Sequence, residues 1–322
     1  MSSLLSRLLK AAALLLAVSS PLAADEYPNR PVRLIIPFPA GGSNDVVGRL
    51  VAHQLSAKLG QQVWVDNRGG AGGVIGTEAA ANAAPDGYTL LIISIAHAVN
   101  PALYKLSYDP IKSFTPVSIL ATGPNVLSVN PRLPVHSVNE LIALAKQKPG
   151  ELDYASAGVG SFQHLGGELF KLTAGVSIQH VPYKGGGPAM QDVISGHVKV
   201  IFSSLIQTTP FIQSGQLRAL GTGGSTRSPV LPDVPTIAEA GVPGYEANNW
   251  WGVVAPAGTP ASIVEKLHND IRVVLTSPEL QQQFAREGAS SIEMSVAEFG
   301  KYMETEMVKW GRVVKESNIR VQ

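Results

Sequence analysis

Ser43, Asn44 and Asp45 follow two glycines in the run Pro37-Phe38-Pro39-Ala40-Gly41-Gly42-Ser43-Asn44-Asp45, and small polar residues beside glycines at a helix start suit capture of an anion. Val32, Leu34, Ile35 and Ile36 precede the run as a β-branched strand, which Pro37 and Pro39 end by withholding ladder donors. Val47, Leu50, Val51, Leu55 and Leu59 recur after it in steps of three and four, predicting a helix with Ser43 or Asn44 as N-cap. The first N–H groups of that helix and the positive end of its dipole favour a carboxylate or phosphate in the loop. A tight turn alone accounts for Gly41-Gly42 equally well. The P-loop pattern is missing, and three near misses to the dinucleotide fingerprint, from Gly70, Gly158 and Gly185, end in Ile75, Gln163 and Met190 instead of glycine.

A second loop of the same kind, Ala155-Ser156-Ala157-Gly158-Val159-Gly160-Ser161, again joins a strand end to a helix with serine at the cap position. Two such cradles favour ligand binding over a simple turn. Val181-Pro182-Tyr183-Lys184-Gly185-Gly186-Gly187-Pro188 is a third candidate, offering a hydroxyl and a charge, although a solvated loop lysine explains Lys184 slightly better. His164 and Glu168 share a helical face at i,i+4, but with no further ligands nearby a structural or pocket-lining histidine is the better reading than a metal site. Asp45 and Arg49 have the same spacing, an ordinary helix pair unless Asp45 orients the loop. The closest approach to Gly-x-Ser-x-Gly is Tyr154-Ala155-Ser156-Ala157-Gly158, with tyrosine at the first required glycine. A secreted hydrolase or lyase using His164 with Ser161 or Ser156 is therefore the weaker alternative to a non-catalytic receptor.

These loops need a scaffold, and strand and helix patterns alternate from Val32 to Ser94, the signature of βαβ units in a mostly parallel α/β sheet. The alternation breaks at Phe114–Ala121 and Val126–Asn130, two strand-like runs interrupted by Gly123-Pro124, and resumes through Gly221. Tyr245–Pro256, with Trp250-Trp251, reads as a second crossing strand, so two lobes are expected with a cleft between them. The last quarter is helical. Its final stripe of Phe299, Met303, Met307, Trp310 and Val314 is core packing.

Arg7 and Lys10, an apolar core over Ala11–Val18 and Ser-Ser-Pro-Leu-Ala-Ala form a secretory leader with cleavage expected after Ala24; an uncleaved N-terminal anchor is the second choice. No later apolar stretch is long enough to span a bilayer. Without Arg7 and Lys10 the chain holds 23 basic against 24 acidic residues, so no basic field exists for nucleic acid or anionic lipid. With 45% apolar residues and no cysteine, the chain is expected to fold without disulfides, thiolate metal sites or a cysteine nucleophile.

Phe38–Asp45, Gly70-Ala71-Gly72-Gly73-Val74-Ile75-Gly76, Pro85-Asp86-Gly87-Tyr88-Thr89-Leu90, Tyr154–His164, His180–Gly185 and Ala255-Pro256-Ala257-Gly258-Thr259-Pro260 together resemble the receptors of tripartite tricarboxylate transporters, the Bug receptors. The resemblance runs from about Tyr27 to Ile319. It implies a two-lobed periplasmic binding protein of type 2, the Venus flytrap, that hands a small carboxylate to a membrane permease. It implies no cofactor or metal, and a monomer is expected. Residues 1–24 would be the leader, 25–124 with 248–322 one lobe, and 125–247 the other. By this likeness Phe38, Ala40, Gly41, Gly42, Ser43, Asn44 and Asp45, with Ser156, Gly158, Gly160, Ser161 and His164, surround the carboxylate, while Tyr183, Lys184 and Gly185 close over it. Ser203-Ser204 stand where many relatives carry aspartate, so an ammonium on the ligand is not expected. Fixed positive groups are few, namely Lys184, His164 and Arg49, and this favours a mono- or dicarboxylic acid over a tricarboxylate or an amino acid.

Overall fold

The computed structural model describes residues 27–316 and 319–320, and the expected leader lies outside them. In the first lobe β1 (Val32–Ile36), β2 (Val63–Asn67) and β3 (Thr89–Ser94) are parallel, β1 in the middle. Between them run α1 (Ser43–Leu59), ended by Gly60 in the left-handed conformation, and α2 (Val74–Ala81). β3 leads into α3 (Ile95–Leu103), a helix the sequence pattern misses because Pro101 sits inside it.

β4 (Phe114–Val129) passes through Gly123-Pro124 without a break, so the two expected strand runs are one strand, about 50 Å long at ~3.3 Å per residue. Gly123 and Pro124 pair antiparallel with Asn249 and Asn248 of β9 (Asn248–Pro256), which accommodates the proline. Phe114–Pro124 belong to the first lobe's sheet through β9. Asn125–Val129 pair instead with β7 (Val200–Ser204) and β8 (Arg218–Thr222) of the second lobe. There β7 continues parallel to β5 (Asp153–Ser156) and β6 (Gln179–Pro182), with helices α4 (Val138–Gln147), α5 (Phe162–Ala174), α6 (Gly186–Ser195) and α7 (Leu205–Gln213) between the strands. The chain returns along β9 and finishes with α8 (Ala261–Leu275), α9 (Pro278–Glu287), the short β10 (Ser290–Ser291) and α10 (Val296–Glu316). The result is a two-lobed α/β fold crossed by β4 and β9. At the junction Asn125 N donates to Ala247 O at 3.0 Å and Ala247 N to Gly223 O at 2.9 Å, lacing the crossings together.

Successive residues of β9 face opposite sides, and the core divides accordingly. Trp250 packs with Phe299 and Trp310 on one side; Trp251 packs with Ile206, Leu267 and Phe284 on the other. Each buried indole removes roughly 150–250 Å² from water, about 4–6 kcal/mol. Their N–H groups are satisfied: Trp250 donates to Glu306 and Trp251 to Asn44 Oδ1, both at 3.0 Å. The stripe expected on α10 is buried at Phe299, Met303, Trp310 and Val314, and the buried Glu306 beside it also accepts from Trp310.

Three histidines are held neutral by burial: His97 and His164 are pushed down to about 4 and His180 to about 3. Because their folded values lie below the ordinary ~6.5, the stability they contribute is complete above that pH and is lost as pH falls toward 4. The thermal midpoint should drop across this window. A flat profile would show that these rings already carry protons in the folded protein.

Candidate functional site

The β1–α1 loop is held by Asp45. Its carboxylate accepts from Gly41 N at 3.0 Å, Arg49 Nε at 3.0 Å and Asn67 Nδ2 at 2.9 Å, and Asn67 Nδ2 also donates to Phe38 O at 3.0 Å. Asp45 thus both pairs with Arg49 and orients the loop. The N-cap of α1 is Gly42, not Ser43 or Asn44 as the pattern predicts; the helix starts at Ser43 and Gly42 supplies no side-chain cap. Asn44 is unavailable for capping because it accepts from Trp251 and donates to Ser94 Oγ at 3.3 Å. The N–H groups of Ser43 and Asn44 have no intrahelical acceptor, and no cap side chain takes one.

In the second lobe Ser161 caps α5 as predicted, accepting from His164 N at 3.3 Å, while Gly160 N donates to His164 Nδ1 at 3.2 Å. Ser156 is turned into its own loop, where its Oγ accepts from Gly158 N at 3.0 Å and lies 2.5 Å from His180 Nε2. The His180 ring stacks between Tyr154 and His164, at centroid distances of 5.1 and 4.0 Å. This buried stack explains why both rings are neutral and gives His164 a structural place. Tyr183, in the loop before α6, donates to Asp192 of that helix, and Lys184 is exposed. α6 begins at Gly186, with Pro188 in its first turn as expected. Ser203 Oγ donates to Gln207 Oε1 at 2.8 Å, Gln207 Nε2 donates to Gly186 O at 2.9 Å, and Gln163 Nε2 reaches Ser203 Oγ at a loose 3.4 Å.

The loops meet across the cleft. A Cβ on Gly187 would lie 2.4 Å from Ala40 O, and one on Gly41 would lie 3.5 Å from Gly187 Cα. Tyr104 Oη donates to Val159 O at 3.1 Å on the other seam. Between the seams lies a cavity of about 20 Å³, at the threshold for one water. Of the sequence-predicted residues, Phe38, Gly42, Ser43, Asn44 and Ser161 line it. Ala40, Gly41 and Gly185 form one seam and Gly160 faces Leu103 and Asn100 on the other; Asp45, Ser156, His164 and Ser203 stand behind the lining, and Gly158, Tyr183 and Lys184 lie outside it.

Ala157 and Gly186, from two of the loops singled out in the sequence, complete the lining together with Ser94, Ala96, Phe162, Gln163 and Asn249, which escape the sequence reading as site residues. A serine before a helix marks Ser94 as it marks Ser161, but the helix after Ser94 was not legible. Asn249 carries no local signal. It is 1% exposed, with no hydrogen-bond partner for Oδ1.

Among the described residues no charged side chain lines the cavity, and four helix N-termini do. They are α1 at Gly42, α3 at Ser94, α5 at Ser161 and α6 just after Gly185. Each carries roughly half a positive charge, about +2 together. Gly41 has φ 83°, which a β-branched residue resists, so Gly41→Val should weaken acid binding about tenfold or more with the core intact. Unchanged affinity in a folded variant would reduce Gly41-Gly42 to a tight turn.

Ser156 and His180 lack what a hydrolytic pair requires. Ser156 is fully buried and bonded within its loop, and the His180 ring stacks on a histidine instead of being oriented by a carboxylate.

Comparison with known proteins agrees. A family model described as the tripartite tricarboxylate transporter family receptor matches residues 47–319. Protein BugT of Bordetella pertussis is 41% identical over 308 residues, covering 95% of this chain and 94% of its own. A solved R. palustris protein with adipate is 39% identical with a TM-score of 0.89, covering 92% of this chain and 100% of that one. The periplasmic binding protein BugD is 34% identical with a TM-score of 0.88, again over 92% and 100% of the two chains. The fold is that of periplasmic binding proteins, and the family is one of receptors, not enzymes. By its sequence, its two crossed lobes and the cleft between them, the chain belongs to the tripartite tricarboxylate transporter family of receptors.

Proposed function

We propose that this chain is a monomeric periplasmic receptor that captures a small dicarboxylate between its lobes and delivers it to a tripartite tricarboxylate-type permease. One lobe comprises 25–124 with 248–322 and the other 125–247. The observation that carries this reading is the convergence of four helix N-termini on a buried cavity with no charged lining. With the lobes parted enough to widen the cavity, one carboxylate sits against α1 and α3 and the other against α5 and α6, so each lobe holds one end of the ligand. Three carboxylates would exceed the available positive charge and leave one desolvated at a cost of several kcal/mol. The leader expected at residues 1–24 and the adipate bound by the R. palustris relative support export and a dicarboxylate.

Mass spectrometry of the small molecules released on denaturing purified protein tests this directly. A stoichiometric dicarboxylic acid is expected, unchanged after incubation with the native protein. Sustained turnover of the acid, abolished by His164→Ala, would overturn the receptor reading.

A further inference from the structure

The cleft cavity is bordered by four helix N-termini, all of them donors, and most of its polar side chains are already engaged. Asn44 is held by Trp251 and Ser94, Ser161 accepts from His164 N, and Gln163 reaches Ser203 and Gln207. Asn249 is the exception. Among the described residues that line the cavity it alone keeps an enclosed side-chain atom, Oδ1, with no hydrogen-bond partner. The residue is 1% exposed, so bulk water does not satisfy that oxygen. Leaving a buried acceptor unpaired is costly, and one kept beside a ligand cavity points to a partner that arrives with the ligand.

Asn249 is held firmly by its strand. It pairs with Gly123 of β4, its carbonyl accepts from Thr122 Oγ1 at 2.7 Å, and Trp251, two residues on, is fully buried and tied to Asn44. The strand β9 crosses between the lobes, one supplying α1 and α3 and the other α5 and α6. With a carboxylate at each pair of helix N-termini, Asn249 stands beside the carbon chain that joins them. The side-chain amide carries one acceptor and one donor group, whichever way it is turned. A carboxylate or keto oxygen only accepts and leaves Oδ1 unpaired. An ammonium donates, but it accepts nothing from Nδ2 and meets no carboxylate in the lining. A methylene leaves both groups unpaired. A hydroxyl donates to Oδ1 and accepts from Nδ2.

We propose that Asn249 is a specificity-determining residue whose amide binds a hydroxyl on the ligand's carbon chain, so that the cleft selects a hydroxylated dicarboxylate over the plain diacid. The assignment rests on the dicarboxylate reading above and adds to it the group between the carboxylates. Discrimination arises because a methylene strands the buried amide, and it should reach about tenfold or more.

The probes are succinate, glutarate and adipate, each titrated calorimetrically into ligand-stripped protein at neutral pH beside its monohydroxy derivatives, as both enantiomers. In the wild-type protein the diacid of best-fitting length should bind about tenfold or more tightly with a hydroxyl than without one. In Asn249→Leu, which keeps the volume and removes the amide, that ratio should fall to about one; Asn249→Ala serves if the leucine variant does not fold. Equal or weaker binding of the hydroxylated acids by the wild type would overturn the assignment and leave the dicarboxylate reading standing, with water in the hydroxyl's place. A preference that persists in the folded variant would overturn the choice of residue. Binding of none of these acids would overturn the dicarboxylate reading and the assignment with it.

Discussion

Gly187→Ala is expected to lower ligand affinity roughly a hundredfold, about 3 kcal/mol, while leaving the fold as stable as before or slightly more so. The added methyl would sit 2.4 Å from Ala40 O, well inside any tolerated contact, and the obstacle is backbone that no rotamer change can move. The lobes must part to relieve it. Gly187 lies in the first turn of α6, where alanine is the better helix former by up to about 1 kcal/mol, so stability should not suffer. Gly311→Ala in α10, where a Cβ would meet nothing, is the control and should bind normally. Calorimetry with the co-purified acid, together with small-angle scattering, reads both effects. Normal affinity in a compact Gly187→Ala protein would show that the seam does not govern closure.

Asp45→Ala should cost both stability and binding. The carboxylate is buried and ties Gly41 N, Arg49 and Asn67 to one point, and its loss removes part-buried hydrogen bonds whose donors can reach water, at about 1 kcal/mol. Arg49 is half exposed and can turn to solvent, which keeps the penalty below that of a fully buried pair. Once the loop is released, the Ser43 and Asn44 N–H groups no longer stand preorganised, and affinity should fall about tenfold or more. Removing a negative charge near an anion acts in the opposite direction. A variant that binds more tightly would therefore show that Asp45 acts through its charge and not through the loop.

The βα alternation and the two glycine-rich junctions before α1 and α5 were legible in the sequence because strand and helix periodicities are local, and each junction is a strand end followed by small residues and a helix. The crossings were legible as places where alternation fails, but Gly123-Pro124 reads as a break. Only pairing with Asn249 and Asn248 shows that β4 runs through it. The cap of α1 was misplaced because Asn44, a strong cap former, is claimed by Trp251, more than two hundred residues away in sequence. Tyr183 offers a hydroxyl that Asp192 takes, and Lys184 is exposed, as the reading of a solvated loop lysine has it. The lining contributed by Asn249, Gln163 and Ser94 depends on three segments folding against one another. No spacing within any one of them carries that information.

The most direct test of dicarboxylate capture by backbone dipoles is a calorimetric titration of purified, ligand-stripped protein. The panel holds adipate and shorter dicarboxylates, their monoamides and diamides, citrate and glutamate near neutral pH. One-to-one binding of a dicarboxylate is expected, weakened stepwise as each carboxylate becomes an amide, with citrate and glutamate weaker. Tightest binding by citrate or glutamate, or equal binding of a diacid and its diamide, would contradict a charge-free cavity neutralising two carboxylates through four helix N-termini.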